Sequence, residues 1–260
     1  MDELFDTWCE ATEEIDQNKT LWRATEKLDG RSTCIPEIAR RVRSHYSSDE
    51  EISEFLAVLG FEKTADVLAT LYPEGPKGRS ADLGEIFGTE IIEEWCDHDV
   101  PIRKLRDKDH REQAMRGEDI IGVKIGEDDE LYLLKGEAKS ARSLSTSTVE
   151  EARASLEANA GRPTAHGLMF TARRLLGSGS SDDRDLGARV LTEVAHAAVP
   201  KSRLAHCFFA FTGNAAGEML DDDFTAADGS REQFVIHLRV TDHGPFVRHV
   251  FDEVSSLAVS

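Results

Sequence analysis

Glu137 and Lys139 stand two residues apart at the end of the apolar run Leu131-Tyr132-Leu133-Leu134. On a strand, positions i and i+2 point to the same face, so this spacing sets a carboxylate beside an ammonium. Asp119, eighteen residues before Glu137, opens a second apolar segment, Ile120-Ile121-Gly122-Val123. Two neighbouring strands of this kind aim two acids at one hard divalent cation with a lysine alongside, a set of groups that suits phosphodiester hydrolysis. Of the ten lysines, Lys139 alone has an acid two positions before it, among 50 acids in 260 residues. About two such pairs are expected by chance, so the triplet taken alone reads equally as a solvated pair at a strand end. Its weight comes from its order with Asp119 and with Glu85 further upstream.

The elements around these residues follow from periodicity. Leu4, Phe5, Trp8 and Ile15 suit one amphipathic helix, Ile35, Ile38 and Val42 a second, Ile52, Phe55, Leu56 and Leu59 a third, and Val67, Leu68 and Leu71 a fourth. Pro73-Glu74-Gly75-Pro76-Lys77-Gly78 then marks a boundary, dividing a helical N-terminal region, 1–78, from residues 79–260. Beyond it, Ala81 to Trp95 reads as a helix carrying Glu85, and Val100 to Leu105 as a short strand. Residues 119–125 and 131–137 read as two strands joined by the acidic turn Gly126-Glu127-Asp128-Asp129-Glu130. Helices follow over Ser145 to Ala158, with Thr148 or Ser147 as cap, about 164–176 and 183–198, and the strands Ala205 to Thr212 and Gln233 to Val240 come last. The acidic turn lacks the ligand spacing of a calcium loop and reads as a solvated hairpin tip.

Composition bounds the function. No apolar stretch is long enough to span a bilayer and the N-terminus has no signal-peptide pattern, so a cytoplasmic protein without membrane association is expected. The four cysteines are scattered, which predicts buried thiols rather than a disulfide framework or zinc site. His237, His243 and His249 show no metal-ligand spacing and are expected on strand and loop surfaces. A net charge of −19 repels polyanions, and the deficit is spread: residues 1–79, 80–150 and 151–260 carry −7, −8 and −4. One stretch runs the other way. Arg103, Lys104, Arg106, Lys108, Arg111 and Arg116 face only three acids, a local +3 just before Asp119. It reads either as the phosphate-contacting surface or as an ion-paired loop or helix face.

The order of helix, strand, strand with Asp, strand with Glu-x-Lys, helix and further strand resembles the PD-(D/E)XK nuclease superfamily. More narrowly, Gly84-Glu85-Ile86, Met115-Arg116-Gly117-Glu118-Asp119-Ile120-Ile121-Gly122 and Leu133-Leu134-Lys135-Gly136-Glu137-Ala138-Lys139-Ser140 resemble the HamA nucleases of Hachiman antiphage defence systems. Glu118 stands where the superfamily's name has Pro. The resemblance implies an α/β restriction-endonuclease-like core, a mixed central sheet flanked by helices, over 79–260. It implies Mg²⁺, with Mn²⁺ as a substitute, held by Asp119, Glu137 and Glu85 with the carbonyl of Ala138, and Lys139 orienting or activating the attacking water. It further implies a DNA-cleaving defence effector working with a helicase partner. Gln113, Ser140 and Arg142 are further candidates for phosphate contact. A nuclease-fold adaptor that binds a partner protein, and an RNA-directed nuclease, are the alternatives the residues leave open.

Overall fold

The computed structural model describes residues 3–113 and 117–257. Its centre is β5 (Leu204–Thr212), whose nine residues are all buried. A strand buried on both faces reads as a continuous apolar run rather than an alternation, which is what Leu-Ala-His-Cys-Phe-Phe-Ala-Phe-Thr provides. It pairs in parallel with β4 (Leu131–Ala141) on one side and β6 (Glu232–Arg239) on the other. Beyond β4, β3 (Ile120–Ile125) runs antiparallel. Beyond β6, β2 (Lys19–Glu26) runs parallel and carries β1 (Cys9–Asp16) as an antiparallel edge. The six-stranded mixed sheet thus has the order β1-β2-β6-β5-β4-β3 and draws strands from both sides of the Pro/Gly cluster.

Alternation along β5 sorts the helices into two layers. Cys207, Phe209 and Phe211 face α5 (Pro76–Trp95), α2 (Gly30–Ser44) and α10 (His243–Leu257), in the larger core that also holds Phe5, Trp8, Phe87 and Phe246. Phe208 and Ala210 face α6 (Thr146–Glu157) and α9 (Gly217–Ala226). Over β3 and β4 on that second face lie α7 (Ala165–Leu176) and α8 (Ser181–His196), packed on Val123 and Leu133. The remaining helices are α1 (Leu4–Trp8), α3 (Asp49–Leu59) and α4 (Phe61–Leu71). This is an α/β architecture consistent with a restriction-endonuclease-like fold, with an N-terminal region that is helical apart from one hairpin. Among the described residues no helix is long and apolar enough to cross a membrane.

The placement of α5 matters most for the chemistry. Pro76 starts the helix inside the Pro/Gly cluster, where its missing N–H costs nothing. Leu83, Ile86, Phe87 and Ile91 then point into the core. Gly84 and Gly88, one turn apart, let the helix backbone rest directly on the sheet. A Cβ at Gly84 would lie 2.8 Å from Ser140 Cβ, and one at Gly88 the same 2.8 Å from Ile120 Cδ1. Close approach here brings Glu85 to the ends of β3 and β4.

Four expectations are corrected by the structure. The first helix stops at Trp8, and residues 9–26 form the β1–β2 hairpin instead of continuing to Ile15, which is 65% exposed. Seven of the eight residues of β1 are exposed, so no apolar alternation marks the strand; pairing to β2 makes it one. Val100 to Leu105 is not a strand, since only the Asp99–Val123 bridge forms before a 3-10 turn at Lys104–Asp107. His237 and His243 are buried rather than at the surface, and His243 opens α10, a helix not foreseen. The cap of α6 is Ser145, which accepts a hydrogen bond from the Thr148 N–H, rather than Ser147 or Thr148. All four cysteines are free and buried, as expected.

Gly84→Ala tests the close packing. Alanine gains about 1 kcal/mol of helix propensity over glycine, while overpacking a fitted contact costs about 1–3 kcal/mol, and the opposing atom is a Cβ that cannot rotate away. The variant is expected to melt below wild type, by about 2–4 °C per kcal/mol for a chain of this size. A melting temperature at or above wild type would show that α5 does not rest on β4 in this way.

Candidate active site

Leu133, Lys135, Glu137 and Lys139 share the face of β4 that α6 covers. The i, i+2 geometry holds: Lys139 Nζ lies 2.6 Å from Glu137 Oε1. The other carboxylate oxygen accepts a 2.7 Å hydrogen bond from Ser155 Oγ in the last turn of α6. That turn is fixed from below by Lys135, a buried cation whose Nζ donates to the carbonyls of Ser155 (2.7 Å) and Ala158 (3.1 Å). Carbonyls left over at a helix C-terminus are a natural partner for a buried ammonium. Burial works against the charge on Lys139, but its hydrogen bond to Glu137 and the charges of Glu137 and Asp119 outweigh it and hold its pKa above the ordinary lysine value. It is an ammonium here.

Asp119 joins the pair through the backbone. Its Oδ2 accepts a 2.9 Å hydrogen bond from the N–H of Ala138, the residue between Glu137 and Lys139. Burial first, and then the charge of Glu137, push the Asp119 carboxyl up to about 6, against the Ala138 N–H and the ammoniums of Lys104 and Lys139. On α5, burial and the charge of Asp119 push Glu85 up to about 8, with Lys104 opposing. The structure therefore gathers Asp119, Glu137, Lys139 and Glu85 at the ends of β3 and β4, and Ala138 meets Asp119 through its N–H.

These residues fit a hard cation by their chemistry. The donors are all oxygen, and two of the carboxyls are raised by burial first and by neighbouring negative charge second, both of which a bound cation would offset. Among the described residues no three His, Cys, Asp or Glu side chains stand close enough together to hold a metal ion as they are placed. Glu137 has its two oxygens turned to Lys139 and Ser155.

Glu118, next to Asp119, serves a different purpose. Its carboxylate accepts from the Thr164 N–H (2.5 Å) and Oγ1 (2.9 Å), fixing the N-terminus of α7, where a negative charge is favoured. Its carbonyl accepts from Lys104 Nζ at 2.8 Å. A cavity of about 360 Å³ opens beside Asp119 and Glu85, with Lys104, Gln113 and Phe170 of α7 in its walls.

The basic segment spends its cations internally. Arg103 bonds Glu93, Lys104 the Glu118 carbonyl, and Arg106 the Ser44 carbonyl; Lys108 is buried against Asp82, and Arg111 pairs with Glu74. Arg116 lies outside the described residues. Ser140 is tied to Ser80 and His243, while Arg142 is exposed at the end of β4. Sequence reasoning missed Ser155, Lys135 and Glu118. Glu118 could have been found from its place beside Asp119, but nothing local distinguishes Ser155.

Glu85→Gln tests the paired burial by pH. Both raised acids hold protons more tightly folded than unfolded. Their contribution to stability is complete below the ordinary carboxylate range, near pH 4, and is lost as pH rises through about 6 for Asp119 and about 8 for Glu85. In EDTA the variant is expected to melt above wild type at pH 9, with the gap closing toward pH 5. A gap that does not change with pH would mean that Glu85 is not held beside Asp119.

A family model described as HamA matches residues 2–254, and no curated protein matches. The matched stretch runs through both layers of the fold and contains every residue gathered at the ends of β3 and β4, so the chain belongs to the HamA family, the family associated with Hachiman antiphage defence.

Proposed function

We propose that this chain is a metal-dependent nuclease of the PD-(D/E)XK type that hydrolyses DNA phosphodiester bonds as a defence effector, together with a helicase partner. The observation that carries the reading is the Asp119 carboxylate bonded to the Ala138 N–H, between a paired Glu137 and Lys139. Asp119, Glu137 and Glu85 are the residues that would hold Mg²⁺ or Mn²⁺. When bound, that ion supplies Lewis acidity toward the phosphate and lowers the pKa of water. Lys139, held as an ammonium, orients the attacking water by donating to it and stabilises the negative charge that develops on the phosphate during in-line displacement. Ser155 fixes the second oxygen of Glu137, and Lys135 keeps Ser155 in place.

Charge supports delivery by a partner. The chain carries −19 overall, and the five described cations of the basic segment have internal partners, so little is left to attract a polyanion. Exposed apolar side chains on α3 and the start of α4, Leu56, Val58, Leu59 and Phe61, at 38%, 81%, 42% and 47% exposure, also support a protein partner. The paired, positioned Glu137 and Lys139 beside Asp119 favour an active nuclease over a silent adaptor.

The test is DNA degradation by the chain, alone and with the proposed helicase partner, in Mg²⁺ or Mn²⁺ against EDTA. Asp119→Ala, Glu137→Ala and Lys139→Ala are each expected to lower the metal-dependent rate by about 10²–10³-fold, the usual loss for a positioned electrostatic group. Undiminished cutting by Glu137→Ala would exclude this site.

A further inference from the structure

Asp119 lacks the support that a strand gives its residues. The ladder of β3 opens at Ile120, opposite Gly136, so Asp119 stands one residue outside it. Two residues earlier, Gly117 is exposed and holds a φ of +102°, in the region that glycine enters most readily. A carboxyl set between a glycine turn and a strand end frays unless something else fixes it. Glu118 supplies the fixture. Its buried carboxylate accepts from the Thr164 N–H (2.5 Å) and Oγ1 (2.9 Å) at the start of α7. Thr164 Oγ1 in turn accepts from the Gly167 N–H at 3.1 Å, so the contact is built into the first turn of the helix. Gly167 leaves the room, since a Cβ there would lie 2.4 Å from Glu118 Oε2. From the 3-10 turn, Lys104 Nζ holds the Glu118 carbonyl at 2.8 Å. That carbonyl belongs to the planar peptide unit that carries the Asp119 N–H. Residue 118 is therefore anchored by side chain and by backbone, on two separate elements.

Resting on the nuclease reading above, we propose that Glu118 is a positioning residue, which ties the chain to the N-terminus of α7 and so holds the Asp119 carboxylate where a divalent cation can use it. No residue of α7 is an acid, yet its first turn decides where Asp119 stands. Ordering of this kind, one contact removed from a metal ligand, carries about 10–100-fold in metal affinity.

The experiment is titration of the full chain with Mn²⁺ alone, followed by the electron paramagnetic resonance signal of the free ion and counting the binding that Asp119→Ala abolishes. Glu118→Ala keeps every proposed ligand, and is expected to melt cooperatively while weakening that binding about 10–100-fold. Gly167→Ala reaches the same contact from α7: the added methyl displaces the movable Glu118 carboxylate, and a similar loss is expected although residue 167 is no ligand. In the Glu118→Ala background that methyl has no carboxylate to displace, so Gly167→Ala is expected to cost no further affinity, whereas two independent losses would add. Unchanged Mn²⁺ affinity in a folded Glu118→Ala, a full further loss from Gly167→Ala in that background, or no Asp119-dependent Mn²⁺ binding by wild type would overturn the proposal. Should Glu118→Ala not fold, Gly167→Ala alone decides, and unchanged affinity there overturns it. Failure of the nuclease reading is separately visible: the Glu118-dependent Mn²⁺ affinity would persist while the chain, alone and with the proposed helicase partner, showed no metal-dependent cleavage.

Discussion

Two half-buried carboxyls, Asp119 at the start of β3 and Glu85 on α5, are the constraint that the acidic end of this sheet is built around. Removal from water, and then neighbouring negative charge, raises their pKa values to about 6 and about 8. Only a rigid surround keeps them together. Gly84 and Gly88 bring α5 onto β4 and β3, the Ala138 N–H holds one oxygen of Asp119, and Lys104 supplies a neighbouring positive charge.

On β4, Glu137 and Lys139 are paired with each other, and the ordering passes from Lys135 through Ser155 to Glu137.

Charge along the chain tells the same story at larger scale. The basic stretch from Arg103 to Arg111 has a local excess in the sequence, yet its cations secure helices α2, α5 and α7 rather than facing outward. Arg103 meets Glu93, Arg106 the end of α2, and Lys108 the buried Asp82 that also accepts from Tyr46. An acidic protein that spends these cations on its own scaffold presents little positive charge along this segment.

The sequence by itself determined the core strands, most of the helices and the same-face pairing of Glu137 with Lys139. Those follow from local rules: continuous apolar runs for strands buried on both faces, a 3.6-residue stripe for helices, and a two-residue period along β4. The β1–β2 hairpin was not legible, because an acidic edge strand carries no apolar alternation and exists only through its partner. Tertiary structure alone decided that α5 rests on β3 and β4 through its glycine contacts, that Ser155 holds Glu137, that Glu118 caps α7 rather than joining the acids, and that the basic segment is internally paired. Each of these is a contact between residues distant in the chain, set by how closely two elements pack. Spacing along a sequence encodes direction within one element but not distance between two.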